Sequence, residues 1–437
     1  MNELTRVKDD FLREEYYTLR HASGLSIYVF PKKLSTAYAA LTVRFGSLDN
    51  EFRFASEDEL LTVPDGTAHF LEHKMFENED HVDTFDKFAA LGASANAYTS
   101  NDVTSYLFST SGEVEGPLTI LLESVLHPYF TEKNVEKEQG IIAQEIKMYD
   151  DSSSNRLYYA VLELLYANHG IRTNICGSCE SIREITPDVL MRCYRAFYRP
   201  ENMILIVCGD VSPEAVVATV DKALVGFKPS EDVVCHETEE PPEIFAKSRE
   251  FHMDIARPKL SVGVKDIGLS ADPRERERRA LILNLAADLF FGESTEFFDR
   301  LYRRGLISQD FSAGYESVQG VGHFLITAAT DDPQTLLAEI RAEFDAIAKG
   351  KRPTEADFER IRRVHYAEFI KDFDNTELIA TALLDAIVEG VELFDTGKVL
   401  TSITSDELSL LSGEFFSEDR LVYSIVSPMK GRKETDA

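Results

Sequence analysis

Two hydrophobic spacings alternate along the chain. Short apolar or alternating runs at 25–30, 37–45, 93–99, 105–109 and 203–208 predict strands, whose successive side chains point to opposite faces. Pro31-Lys32-Lys33 and Ser100-Asn101-Asp102 supply turns between them. Apolar residues three and four apart predict helices instead: Leu118, Leu121, Leu122 and Val125, then 132–148 and 157–167. Phe85, Phe88 and Leu91 mark a short helix that Gly92 stops. A loop at Pro64-Asp65-Gly66 leads into a helical stretch over 67–76. Beyond residue 247 the same order returns, with a strand at 260–264, a helix at 280–290, a strand at 324–329 and later helices. Between the two series lie Pro229, Glu231, Asp232, Glu237, Glu239, Glu240, Pro241 and Pro242, a charged, proline-bearing linker. The expected organisation is an N-terminal half 1–228, an acidic linker 229–247 and a C-terminal half 248–437. Similar size and order point to a duplicated α+β unit, an antiparallel-rich sheet packed with helices in each half.

Composition narrows the partners. The 437 residues are 44% hydrophobic and 28% charged, a globular balance with room for more than one core. Lys and Arg total 46 against 76 Asp and Glu, a formal charge of −30. Such a surface repels phosphate backbones and anionic bilayers, so neither nucleic acid nor membrane is an expected partner. No apolar run approaches the roughly 18–20 residues that span a bilayer. Residues 1–13 are charged and polar, unlike a secretory leader. Five cysteines in so long a chain do not make a disulfide scaffold, and a cytoplasmic location is expected.

The segment with chemistry is His69-Phe70-Leu71-Glu72-His73. On a helix, His69 and His73 are i and i+4, so both rings leave one face and can share a Zn²⁺. Glu72 borders that face. A carboxylate there can take a proton from water and pass it to a leaving amine. The order inverts H-E-x-x-H and is a zinc-peptidase signature. A chain of this composition holds it by chance about 0.02 times.

From this motif onward the chain resembles the pitrilysin/insulinase family of metallopeptidases, which includes the mitochondrial processing peptidases. The resemblance is to its short bacterial cytosolic members. In that family the third ligand is a glutamate on a separate, later helix. Glu145, in Ile141-Ile142-Ala143-Gln144-Glu145-Ile146-Lys147-Met148, fits that pattern 72 residues after His73. Glu138 lies seven residues earlier, about two helical turns, and the resemblance implies that it orients a ligand. Gly92-Ala93-Ser94-Ala95-Asn96-Ala97-Tyr98-Thr99 is similar to the family's edge strand beside the metal, which implies that Asn96 and Ala97 meet substrate backbone. Tyr198-Arg199-Pro200-Glu201-Asn202-Met203 through Gly209-Asp210 matches the family's run into the last strand of the first half. The resemblance implies two halves facing each other around a chamber.

One departure stands out. Active members carry an arginine and a tyrosine in the second half that hold the substrate carbonyl. Tyr302 and Ser308 occupy those places here, leaving Arg303, Arg304 and Tyr315 as replacements to test. Cys176-Gly177-Ser178-Cys179 lacks the second pair of a structural zinc site and reads as incidental loop cysteines. The expected function is a zinc-dependent endopeptidase acting on unfolded or extended peptides. His69, His73 and Glu145 would hold Zn²⁺ and Glu72 would be the general base. The alternative is a subunit of a homo- or heterodimeric processing complex, or a peptide-binding auxiliary factor, with little activity alone.

Overall fold

The computed structural model describes residues 4–79, 82–227, 232–236 and 238–429. It divides into two compact units, Met1–Lys147 with Thr173–Glu237 and Ile370–Val388, and Met148–Arg172 with Thr238–Phe369 and Glu389–Ala437.

The first unit's strands are, in chain order, β1 (Thr5–Asp9), β2 (Glu14–Arg20), β3 (Ser26–Pro31), β4 (Ala37–Val43), β5 (Glu51–Phe54), β6 (Leu61–Thr62), β7 (Ala93–Thr99), β8 (Thr104–Thr110), β9 (Met203–Gly209) and β10 (Val233–Cys235). Seven of them form one sheet in the order β1-β2-β3-β9-β4-β8-β7, and β10-β5-β6 form a small second one. Every residue of β4 and β9 is buried, which is why 203–208 reads as an unbroken apolar run. β7 is the sheet's edge, and its exposed and half-buried positions alternate accordingly. The helices up to residue 303 are α1 (Thr67–Lys74), α2 (Thr84–Ala90), α3 (Glu115–Leu126), α4 (Glu132–Asp151), α5 (Ser153–Leu165), α6 (Pro187–Phe197), α7 (Pro213–Ala223), α8 (Pro273–Phe291) and α9 (Glu296–Arg303).

The second unit repeats the plan. Strands β11 (Ser248–Met253), β12 (Lys259–Asp266), β13 (Ser312–Val318), β14 (Val321–Ala329) and β15 (Leu421–Pro428) are ordered β11-β15-β12-β14-β13. β11 runs parallel to β15, as β3 does to β9, and the other neighbours are antiparallel in both sheets. Each sheet therefore contains five strands in the order first, last, second, fourth, third, and the duplication is real at the level of topology. An aromatic core holds the second unit, with Phe344 stacked on Phe416 at 4.6 Å and Phe324 edge-on to Phe416 at 5.1 Å.

Each unit also takes a helix from the other half of the sequence. α5, from the first half, packs on β12 and β15. Gly263 in β12 makes room for it, since a Cβ there would meet Val161 Cγ1 at 2.7 Å. Conversely, the helix Thr376–Glu389 belongs mostly to the first unit, with Thr376 Oγ1 3.4 Å from Thr36 Oγ1 and Arg44 donating to the Ile387 carbonyl. The acidic stretch is more ordered than a tether. Val233–Cys235 pairs with β5. The buried Glu240 carboxylate accepts the Ala167, Asn168 and His169 N–H groups and pairs with Lys265. Residues 229–231 and 237 of that stretch lie outside the described residues. Among the described residues no helix is long and apolar enough to cross a membrane.

Candidate metal centre

Gly66, at φ 91°, turns the chain into α1, and α1 is buried on most of its surface. His69 and His73 leave it one turn apart with ring centroids 4.6 Å apart. α4 brings the carboxylates. Its buried stripe is Val135, Glu138, Ile142 and Ile146, so Glu138 stands in an otherwise apolar row, and Glu145 lies two turns further on. Glu145 reaches both histidines, with Oε1 3.7 Å from His69 Nε2 and Oε2 3.5 Å from His73 Nε2. His73 Nδ1 donates to Glu138 Oε1 at 3.0 Å, which turns Nε2 toward Glu145. The buried Lys74 ammonium lies between Glu77 at 2.6 Å and Glu138 at 3.7 Å. The four residues singled out around the metal position, 69, 73, 138 and 145, thus meet in space.

The electrostatics separate the two histidines. Burial, reinforced by the neighbouring His73, pushes His69 down to about 3, so its imidazole is neutral with a free lone pair. His73 goes the other way: burial opposes its charge, but the hydrogen bond to Glu138 and the carboxylates of Glu138, Glu72 and Glu145 outweigh it. A neutral imidazole, a carboxylate-oriented imidazole and a carboxylate are the donor set that zinc takes. Against Glu72, Glu138 and Glu145 stand His73 and a Lys74 that lies closer to Glu77, so a divalent cation would add to the positive charge these carboxylates face. The donor set fits the metal.

Glu72 is tied to the sheet. Thr99, the last residue of β7, donates from Oγ1 to Glu72 Oε2 at 2.6 Å. Burial raises the Glu72 carboxyl, and this hydrogen bond and His73 work against the rise. Asn96 is exposed on the same edge strand, and its Oδ1 accepts the Ala97 N–H at 2.9 Å.

Sequence reasoning missed Thr99 and Cys176. Thr99 carries no sequence signal beyond its place at the strand end. Cys176 Sγ lies 3.8 Å from His69 Nε2, and the donor atoms of His69, Glu145 and Cys176 all lie within 4.8 Å of one another. Its thiol is raised to about 12 by burial and by the charges of Glu145 and Glu72. The candidate clamp residues of the second unit are already engaged. Arg303 pairs with Asp299 and Arg304 with Glu339. Tyr315 is buried and donates to Asp266 Oδ2 at 2.7 Å, so it is no substitute for a substrate-facing tyrosine. Tyr302 is exposed and stacks on Phe298.

Comparison with known proteins gives the family. The profile described as Insulinase (Peptidase family M16) matches residues 32–178, and the one described as Peptidase M16 inactive domain matches 184–364. The uncharacterized zinc protease YmfH of Bacillus subtilis is 38% identical over 421 residues, 95% of this chain and 97% of that protein. The chain belongs to the insulinase (M16) peptidase family. An M16-like peptidase structure from Alicyclobacillus acidocaldarius superposes with a TM-score of 0.90 at 32% identity, covering 95% of this chain and 99% of that one. A protease structure from Helicobacter pylori, at 20% identity and a TM-score of 0.83 over 95% of this chain and 100% of that one, shares the M16 fold. Both M16 profiles fall on this one chain in the order of its repeated sheets.

Proposed function

We propose that the chain is a zinc-dependent endopeptidase acting on unfolded or extended peptides. The observation that carries this reading is the joining of three elements at one point: the α1 histidines, Glu145 of α4, and Glu72 hydrogen-bonded to the edge strand. His69, His73 and Glu145 would hold the metal. Zinc there supplies Lewis acidity toward a water and a carbonyl oxygen. Glu138 fixes the His73 ring through Nδ1. Glu72 takes the proton at its carboxylate and returns it to the leaving amine, with Thr99 holding Oε2 in place. The outer edge of β7 accepts an extended peptide by strand addition, for which Asn96 has to release the Ala97 N–H. Backbone pairing of this kind favours unfolded clients over folded ones.

The test is cleavage of quenched unfolded peptides by the purified chain and by Glu72→Gln, with zinc measured on the same samples. Glu72→Gln should lose at least about 10²-fold in turnover while retaining its zinc. Full activity in that variant would overturn the mechanism. A second reading, a subunit that needs a similar chain as partner, is favoured by the engagement of Arg303, Arg304 and Tyr315 in their own contacts. An oxyanion donor is worth about 10²–10³ in rate, so a partner supplying one would raise turnover by that factor.

A further inference from the structure

Cys176 is not loosely placed. Asn174 holds its loop, accepting the Cys176 N–H on Oδ1 at 2.9 Å and the Gly177 N–H on its carbonyl at 2.8 Å. Gly66 and Gly177 both have positive φ, and they let two backbones meet closely. A Cβ on Gly66 would stand 2.5 Å from the Cys176 carbonyl, and one on Gly177 would stand 2.3 Å from the Asp65 carbonyl. Ser181 Oγ closes the same junction by donating to the Asp65 carbonyl at 2.8 Å. The turn that starts α1 and the loop that carries Cys176 are therefore one rigid unit. It points the sulfur at His69, itself 7% exposed with Nδ1 lacking a hydrogen-bond partner. Cys179, three residues on, points elsewhere, with Sγ near the Ala143 carbonyl.

The donor atoms of His69, Glu145 and Cys176 are spaced closely enough to share one metal ion. Zinc bonds of about 2.0–2.3 Å at tetrahedral angles put neighbouring donor atoms about 3.3–3.6 Å apart. Cys176 Sγ stands 3.8 Å from His69 Nε2, and His69 Nε2 stands 3.7 Å from Glu145 Oε1, both within a few tenths of an ångström of a tetrahedral edge. His73 Nε2 faces the other carboxylate oxygen, Glu145 Oε2, at 3.5 Å. A thiol becomes a ligand by losing its proton to solvent as the metal binds.

Building on the zinc-peptidase reading, we propose that Cys176 is a fourth protein donor to the metal. The resting site is then closed by sulfur, with no position open, and a substrate oxygen enters only when the sulfur leaves. Four protein donors characterise zinc sites that hold the metal tightly without turning over, whereas catalytic sites keep one position free. Cys176 is thus a built-in competitor for the working position, its S–H proton passing to solvent when the sulfur binds and returning from solvent when the sulfur leaves.

Cobalt(II) is the probe, because a thiolate ligand gives it an intense near-ultraviolet charge-transfer band that imidazole and carboxylate do not. The full chain should bind one cobalt and show that band. Cys179→Ala should keep the band, and Cys176→Ala should lose it while still binding one cobalt. Zinc affinity should fall about 10-fold or more in Cys176→Ala, at least the loss that removal of an outer-sphere partner causes. Peptide turnover per zinc-loaded chain should rise. A cobalt-loaded wild-type chain without the band, or a band that survives in Cys176→Ala, would overturn the proposal and leave the three-ligand site standing. A chain whose cobalt binding is absent, or unaffected by His69→Ala, would remove the underlying metal site and the thiol ligand with it.

Discussion

Each unit buries a polar cluster between the helix that follows its second repeated strand and its edge strand, and the two clusters are built on opposite principles. In the second unit each acid has its base. Asp266 takes both the Nε and an Nη of Arg279 at 2.8 Å, together with the Tyr315 hydroxyl from β13. Glu240 takes Lys265 at 2.6 Å, and Glu316 faces His323 at 3.6 Å. In the first unit Glu72, Glu138 and Glu145 gather around two histidines, one of them held neutral, with Lys74 as the cation beside Glu138. Buried charge without a partner is costly, and a closed pair avoids that cost. The second cluster is complete as it stands, whereas the first has the donors that an added cation would complete.

The sharpest way to break this contrast is to open the closed cluster. Asp266→Ala leaves Arg279 and Tyr315 facing nothing, and it should cost about 3–5 kcal/mol in denaturant unfolding. A loss under about 1 kcal/mol would mean that the second cluster is not what holds its unit. The pH dependence follows in sign. Burial opposes the Asp266 charge, but Arg279 more than compensates and keeps the carboxyl below its usual range. Its contribution is therefore fully present above the ordinary carboxylate range and is lost as pH falls through the depressed folded value. Asp266→Ala should flatten that acid limb.

The complementary experiment completes the open cluster. Free zinc at about 100 times its Kd should stabilise the chain by about 2.7 kcal/mol, and Glu145→Gln should abolish that gain. Without metal, Glu145→Gln should change stability by less than about 1 kcal/mol, because losing the 3.5 Å contact with His73 is offset by removing one of three like charges. Equal costs for the metal-free Glu145→Gln and for Asp266→Ala would erase the distinction between the clusters.

The sequence carried some of this and withheld the rest for physical reasons. His69, Glu72 and His73 are legible because helical periodicity turns spacing into geometry. Glu145 and Glu138 share a helix face by the same rule, but their meeting with α1 is a tertiary fact that only the family resemblance supplied. The repeated strand order was visible as a recurrence of patterns. The exchange of α5 for the helix Thr376–Glu389 was not, since an amphipathic face does not say which sheet it will cover. Cys176 was invisible for a similar reason. It lies 107 residues from His69, and what brings it there is the backbone contact allowed by Gly66 and Gly177.

Single hydroxyls on the edge strands β7 and β13 also reach their cluster's carboxylate. Tyr315→Phe removes the donor to Asp266 and should cost about 1.5–3 kcal/mol of stability, the range for a hydrogen bond to a charged group. It should leave the pH profile of peptide cleavage where it was. Thr99→Val removes the donor to Glu72 Oε2 in nearly the same shape. Burial already raises the Glu72 carboxyl, and the Thr99 hydrogen bond is the largest influence opposing that rise, so its loss should raise the carboxyl further. As the proposed base, Glu72 would work in its ionised form, so the acid limb of kcat/KM should move to higher pH. Well above that limb the rate should fall only a few-fold. A uniform loss at every pH would make Thr99 a packing residue and would reduce its edge strand to the same structural part that β13 plays.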